Sequence, residues 1–189
     1  MIPAALLTAG ISLALVSGSG PRNTVALTSK RDGRTYRVQN LPDKQDACEF
    51  ISKISENLGK LIETYKSDPS AMSDPRIKVL VSRFNPNHFT ENDVDADTTS
   101  YSENKGEKIV VCIREKTPPY KFADENTVMF VMLHEMAHLM TTTIGHTPEF
   151  WANFRRILHD AVQCGIYKPV NYAKNPTLYC GMTITDSPI

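Results

Sequence analysis

Residues 124–151 read DENTVMFVMLHEMAHLMTTTIGHTPEFW. Between Val128 and Met140 every side chain is apolar except His134, Glu135 and His138. A helix that is apolar all round is a buried helix. Polar groups enclosed in it cost free energy unless they are paired, hydrogen-bonded or ligating something. His134 and His138 stand four residues apart, which puts them on one helix face with Cβ atoms about 5–6 Å apart. Two imidazoles so placed can converge on one ion at Zn–N distances of roughly 2.0–2.1 Å. Glu135 follows the first histidine, so its carboxylate can address a metal-bound water while staying outside the coordination sphere. The competing reading of this H-E-x-x-H pattern is a pair of satisfied core histidines.

The residues that follow favour the metal. Thr141-Thr142-Thr143 are weak helix formers, and Gly145 can adopt the left-handed conformation that ends a helix. His146 comes next, where the chain turns back. A catalytic zinc takes three protein ligands and keeps one open position, so His134, His138 and His146 complete the set and leave Glu135 free as base. Thr147 can cap, and Pro148 can open, a second helix running to Cys164, with Gly165 just past its end. Its apolar stripe is Phe150, Trp151, Phe154, Ile157, Leu158, Ala161 and Val162. That packing holds His146 against the first helix; the alternative is that His146 is an exposed turn residue. His159 falls on the solvent side of this helix and His88 in a polar loop, so neither is assigned a ligand role.

Working outward, Asp43 can cap a long helix whose apolar positions from Ala47 to Tyr65 recur at three and four residues until Asp68-Pro69. Asp74-Pro75 opens a shorter helix closed by Asn85-Pro86, with a strand through Ile77 to Val81 as the competing reading. Residues 87–97 read as an exposed acidic loop. Thr98 to Ser102 and Lys108 to Arg114 flank a turn at Asn104-Lys105-Gly106, a β-hairpin pattern. Ile109 to Ile113 is apolar on both faces and belongs inside a covered sheet; if it instead lies at an edge, an extended substrate could pair with it. Cys180-Gly181-Met182-Thr183 reads as a C-terminal strand or turn, or as a methionine turn beneath the metal. Tyr167, Tyr172 and Tyr179 are the candidates for stabilising an oxyanion, each with the competing role of a packed aromatic.

The chain has 189 residues, 41% hydrophobic and 22% charged, which suits one globular domain with at most an appendage. Its 21 basic and 21 acidic side chains cancel, so charge does not indicate nucleic acid as a partner. Residues 1–21 carry no charged side chain. As a helix they would reach about 30 Å, enough for a marginal bilayer span. Arg22, Lys30, Arg31, Arg34 and Arg37 follow against Asp32 alone. This predicts a single-pass N-terminal anchor through residues 2–20 with the catalytic domain in the cytosol; the alternative is secretion after signal cleavage. Residues 22–40 read as a linker, with a short extended piece at Thr35 to Val38, and 41–189 as the folded domain. Cys48, Cys112, Cys164 and Cys180 form no C-x-x-C pair. They read as buried free thiols in a reducing compartment, although an even count permits two disulfides.

His134-Glu135-x-x-His138 followed by Gly145-His146-x-x-x-Phe150-Trp151 resembles the zinc metallopeptidases of the WLM and SprT-like group, over roughly residues 41–165. The resemblance implies a zincin-like α+β fold, with a small mixed sheet or hairpin packed on the active-site helix and two or three further helices. It implies zinc bound by His134, His138 and His146, with Glu135 as catalytic base. The expected function is zinc-dependent hydrolysis of peptide bonds in protein or peptide substrates by a metal-activated water. The alternative is a non-proteolytic zinc-binding scaffold or interaction domain.

Overall fold

The computed structural model describes residues 23–189. The long amphipathic pattern forms α1 (Lys44–Ser67), which buries Ile51, Ile54, Leu58, Leu61, Ile62 and Tyr65 along one face. Asp43 occupies its N-cap position but caps nothing; its carboxylate accepts from Arg114 Nη1 at 2.6 Å. Two Asp-Pro pairs then start two short helices in the same way. Asp68 accepts from the Ser70 backbone N–H at the start of α2 (Pro69–Ser73), and Asp74 accepts from that of Arg76 at the start of α3 (Pro75–Arg83). With its N–H missing and φ fixed, a proline suits the first helical position. The strand alternative for Ile77 to Val81 is thereby overturned.

The main sheet has the order β1-β2-β3-β5-β4. Its members are β1 (Thr24–Thr28), β2 (Thr35–Gln39), β3 (Phe89–Glu91), β4 (Tyr101–Glu103) and β5 (Lys108–Val111). β2–β3 and β3–β5 pair parallel; β1–β2 and β4–β5 pair antiparallel. β5 is interior, with Ile109, Val110 and Val111 fully buried, as a β-branched run apolar on both faces should be. β4 is therefore an edge strand, as β1 is on the other side, and the expected hairpin joins β4 to β5. The two helices of the site are α4 (Glu125–Met140) and α5 (Pro148–Gln163), packed on each other, with α3 and α1 also against α4. A small hairpin of β6 (Thr177–Tyr179) and β7 (Met182–Ile184) follows. The architecture is α+β, as expected.

Four expectations are corrected. The stretch 22–40, read as a linker, contains β1 and β2: Tyr36 and Val38 enter the core while Thr35 and Arg37 face out. The extended piece expected at Thr35 to Val38 is β2, whereas β1 is half-buried or exposed throughout and leaves no such pattern. Within the expected loop at 87–97, Phe89, Thr90 and Glu91 form buried β3. Glu91 tolerates that position because Arg114 Nε donates to its Oε1 and the Gln39 backbone N–H to its Oε2, both at 2.7 Å. Cys112 and Cys180 are disulfide-bonded, so only Cys48 and Cys164 are free thiols. Finally, among the described residues no helix is long and apolar enough to cross a membrane. The membrane-anchored arrangement with a cytosolic domain is not retained; residues 1–21, on which it rested, lie outside the described residues.

Candidate metal centre

Asp124 sets where α4 begins, its Oδ1 accepting from the Thr127 backbone N–H at 2.9 Å and from the Thr127 hydroxyl at 3.0 Å. From that start, helical geometry carries His134 and His138 to one face at the buried end of the helix. α4 stops at Thr141, whose hydroxyl donates to the Ala137 carbonyl at 2.7 Å and accepts from Asn153 Nδ2 of α5 at 3.0 Å. The chain reverses through Gly145, with φ +85°, a conformation side-chain-bearing residues rarely adopt. Thr147 caps α5, accepting from the Phe150 backbone N–H at 3.4 Å, and Pro148 takes the first position. Both cap and stop therefore sit where the sequence puts them.

The result is convergence of three imidazoles. His134 Nε2 lies 3.2 Å from His138 Nε2 and 3.1 Å from His146 Nε2, and the three ligand atoms all fall within 4.8 Å of one another. Phe150 is the ring they share: its centroid is 4.8, 4.3 and 4.7 Å from those of His134, His138 and His146. Burial lowers the pKa of all three histidines. His134 falls well below the usual value, with the neighbouring imidazoles adding to burial, and His138 falls to about 4, with His146 and Lys105 adding. The rings are thus neutral near neutral pH and present lone pairs.

This donor set fits a zinc ion. Two nitrogens about 2.0–2.1 Å from one tetrahedral ion stand about 3.3 Å apart, close to the spacings found. Neutral imidazoles each carry a single N–H, so three of them cannot satisfy one another around a common point. His134 Nδ1 is buried without a hydrogen-bond partner, leaving that ring no polar contact other than the two imidazoles. No cysteine or carboxylate joins the three histidines as a fourth potential ligand among the described residues.

Glu135 is buried beside the cluster and its Oε2 accepts from the Ser102 hydroxyl of β4 at 3.2 Å. Burial pushes its carboxyl up to about 8, with hydrogen bonds from Ser102 opposing the rise. Ser102 lies 33 residues upstream, and nothing in local sequence points to it; the register of β4 brings it there. The end of this hairpin is pinned to the same helix. Lys105 Nζ donates to the carbonyls of Thr141 and Thr142, and Arg83 Nη1 to that of Leu139 at 2.6 Å. Cations at a helix C-terminus complement its exposed carbonyls.

The remaining candidates lie elsewhere. The hydroxyl of Tyr167 accepts from the Val170 backbone N–H and that of Tyr172 donates to Thr127 Oγ1. That of Tyr179 donates to the Cys112 carbonyl and is shared with Ser100 Oγ, both at 2.7 Å. All three phenols are packed core aromatics. Cys180 and Gly181, with φ +50° and +80°, form the two-residue β6–β7 turn, which the disulfide ties to the end of β5. His88 bonds the Gly106 carbonyl and Asn85, and His159 is exposed on α5.

An α+β fold whose buried helix carries H-E-x-x-H, with a third histidine before the next helix, defines a zinc-metallopeptidase-like domain of the zincin type. The chain belongs to the WLM family: the WLM domain model matches residues 30–176. An uncharacterized protein of Acanthamoeba polyphaga mimivirus is 30% identical over 155 residues, covering 81% of this chain and 78% of that protein. An uncharacterized protein of Invertebrate iridescent virus 3 is 35% identical over 112 residues, 58% of this chain and 67% of that one. The crystal structure of Wss1 from Saccharomyces cerevisiae is similar in fold, with a TM-score of 0.52 at 20% identity over 68% of this chain and 87% of that chain. A metalloprotease-type function follows from the family.

Proposed function

We propose that the chain is a zinc-dependent endopeptidase in which His134, His138 and His146 hold the ion and Glu135 is the general base. The observation that carries this reading is the meeting of three imidazoles beside the Glu135 carboxyl of the same helix. Zinc bound by such a set supplies a Lewis acid and makes water a nucleophile near neutral pH. Glu135 takes the proton of the attacking water and returns it to the leaving amine. One of its oxygens is engaged by Ser102, which orients the group; beside a bound zinc ion the carboxyl raised by burial is drawn back to its ionised form, leaving the other oxygen for the proton. Lys105 and Arg83 hold the end of α4, and with it His138, in place.

The substrate is an extended polypeptide. β4 is one of the two edges of the sheet and carries Ser102, so a peptide pairing along β4 runs past Glu135. The strand Ile109 to Ile113, considered for this role from sequence, is covered on both sides by β3 and β4 and is unavailable to it.

Substitution of Glu135 by Gln tests the reading. Zinc content should be unchanged while peptide cleavage falls by about 10² to 10⁴. Cleavage equal to that of the parent would refute the assignment of the base, and a zinc-loaded parent unable to cleave any member of an unbiased peptide library would refute the peptidase.

A further inference from the structure

The third histidine differs from the other two in having no helix to aim it. It stands in a turn between α4 and α5 in which Thr142, Thr143 and Ile144 are exposed. A free turn of that kind would sample many positions, and fixing its backbone costs conformational entropy. A single carboxylate closes it. Glu149, in the first turn of α5, reaches back across the turn. Its Oε1 accepts from the Thr142 backbone N–H at 3.1 Å and from the Thr142 hydroxyl at 3.0 Å. Its Oε2 accepts from the Thr143 backbone N–H at 3.3 Å and from the Thr143 and Thr142 hydroxyls at 2.8 and 3.2 Å. The Thr143 and Thr147 hydroxyls meet at 2.7 Å and complete the ring.

We propose that Glu149 is the positioning residue for His146, a carboxylate clasp that sets the third imidazole at the metal and thereby tunes zinc affinity. The proposal rests on the three-histidine reading above. Glu149 does not touch the ring. It acts by fixing the two residues on the α4 side of the turn to the start of α5, so that the backbone from Thr143 to Thr147 has one course and Gly145 takes the reversal. The threonine run thus has a role beyond ending a helix: two successive Thr residues supply four donors to one carboxylate, which Ala or Val at those places could not. Phe150 and Trp151, at 4.7 and 6.0 Å from the His146 ring, then pack against an imidazole whose backbone is already set.

The test is a double-mutant cycle on the full chain, read by competitive zinc titration rather than by cleavage. Glu149→Ala should weaken zinc binding about tenfold, the scale on which orienting partners of ligands act. Glu149→Gln, which keeps the shape but turns an NH2 toward N–H donors, should fall between the two. In a His146→Ala background the same Glu149→Ala change should cost nothing further, since the residue it positions is gone. The metal-free Glu149→Ala protein should melt within a few degrees of the metal-free parent. Equal zinc affinity for Glu149→Ala and the parent would overturn the proposal. So would an equal loss in both backgrounds, which would mark Glu149 as a general structural residue. A parent that binds zinc but cleaves no peptide would overturn the peptidase reading and leave this cycle intact, whereas a parent that binds no zinc would overturn both.

Discussion

The site has two arms built on different principles. The helix arm, His134, Glu135 and His138, is aimed by the regular period of α4, with His134 and Glu135 buried and His138 half-buried. The loop arm, His146, is half exposed and is aimed by a glycine reversal, two threonines and a carboxylate. The helix arm is stiff because moving it means moving α4 against α1, α3 and α5; the loop arm is stiff only while its polar clasp is closed. A candidate metal site assembled this way has two imidazoles placed by backbone geometry and the third by side-chain chemistry.

The sharpest way to break this contrast is to remove what the arms share. Phe150→Ala removes the ring packed against all three imidazoles and should cost about 3–5 kcal/mol of folding free energy, measured by denaturant unfolding. A loss under 1 kcal/mol would mean that the rings do not depend on that contact. Next comes the hairpin that abuts the helix arm. At Gly106, with φ +105°, an added Cβ would meet Leu139 Cδ2 at 2.5 Å and the Arg83 carbonyl oxygen at 2.9 Å. Gly106→Ala should therefore destabilise by about 1–3 kcal/mol. By lifting β4 it should also lower cleavage while zinc affinity stays near that of the parent.

A finer probe is Ser102→Ala, which releases one oxygen of Glu135. It should reduce kcat about tenfold with KM and zinc content unchanged, and Ser102→Thr should restore most of the loss. A change in KM alone would place Ser102 on the substrate side instead. The smallest effect separates the loop arm by pH. Backbone hydrogen bonds from Thr142 and the Thr143 hydroxyl hold the Glu149 carboxyl at about 2, below its ordinary 4.5. A carboxyl depressed on folding contributes fully above the unfolded value and loses that contribution as pH falls through the folded one. In the metal-free protein the Thr142 and Thr143 amide resonances should hold their positions from neutral pH to about 4.5 and shift as pH approaches 2. A shift centred at 4.5 would show that the clasp is open in solution.

The same division explains what could be read from sequence. The helix arm was legible because a period of 3.6 and an apolar surround leave few other uses for His134, Glu135 and His138. The place of His146 was legible because Gly145 and the Thr147-Pro148 cap mark a reversal. Glu149 went unread although it lies three residues from His146, because a carboxylate in the first turn of a helix has an ordinary use there. Ser102 was unreadable, since its meeting with Glu135 depends on sheet register across 33 residues. Within the stretch 22–40, Thr35 to Val38 of β2 was legible as an extended piece; β1 and β3 were not, because a short half-buried strand, or one with a Glu91 neutralised by a distant Arg114, leaves little hydrophobic signal. The Cys112–Cys180 pair, 68 residues apart, follows only from where the β6–β7 hairpin docks.

X-ray absorption at the zinc edge of the loaded protein counts the imidazoles on the ion. The spectrum should show three imidazoles and no sulfur, should be the same for Glu135→Gln, and should show one imidazole fewer for His146→Ala. A sulfur ligand, a spectrum altered by Glu135→Gln, or an unaltered imidazole count in His146→Ala would contradict the three-histidine site.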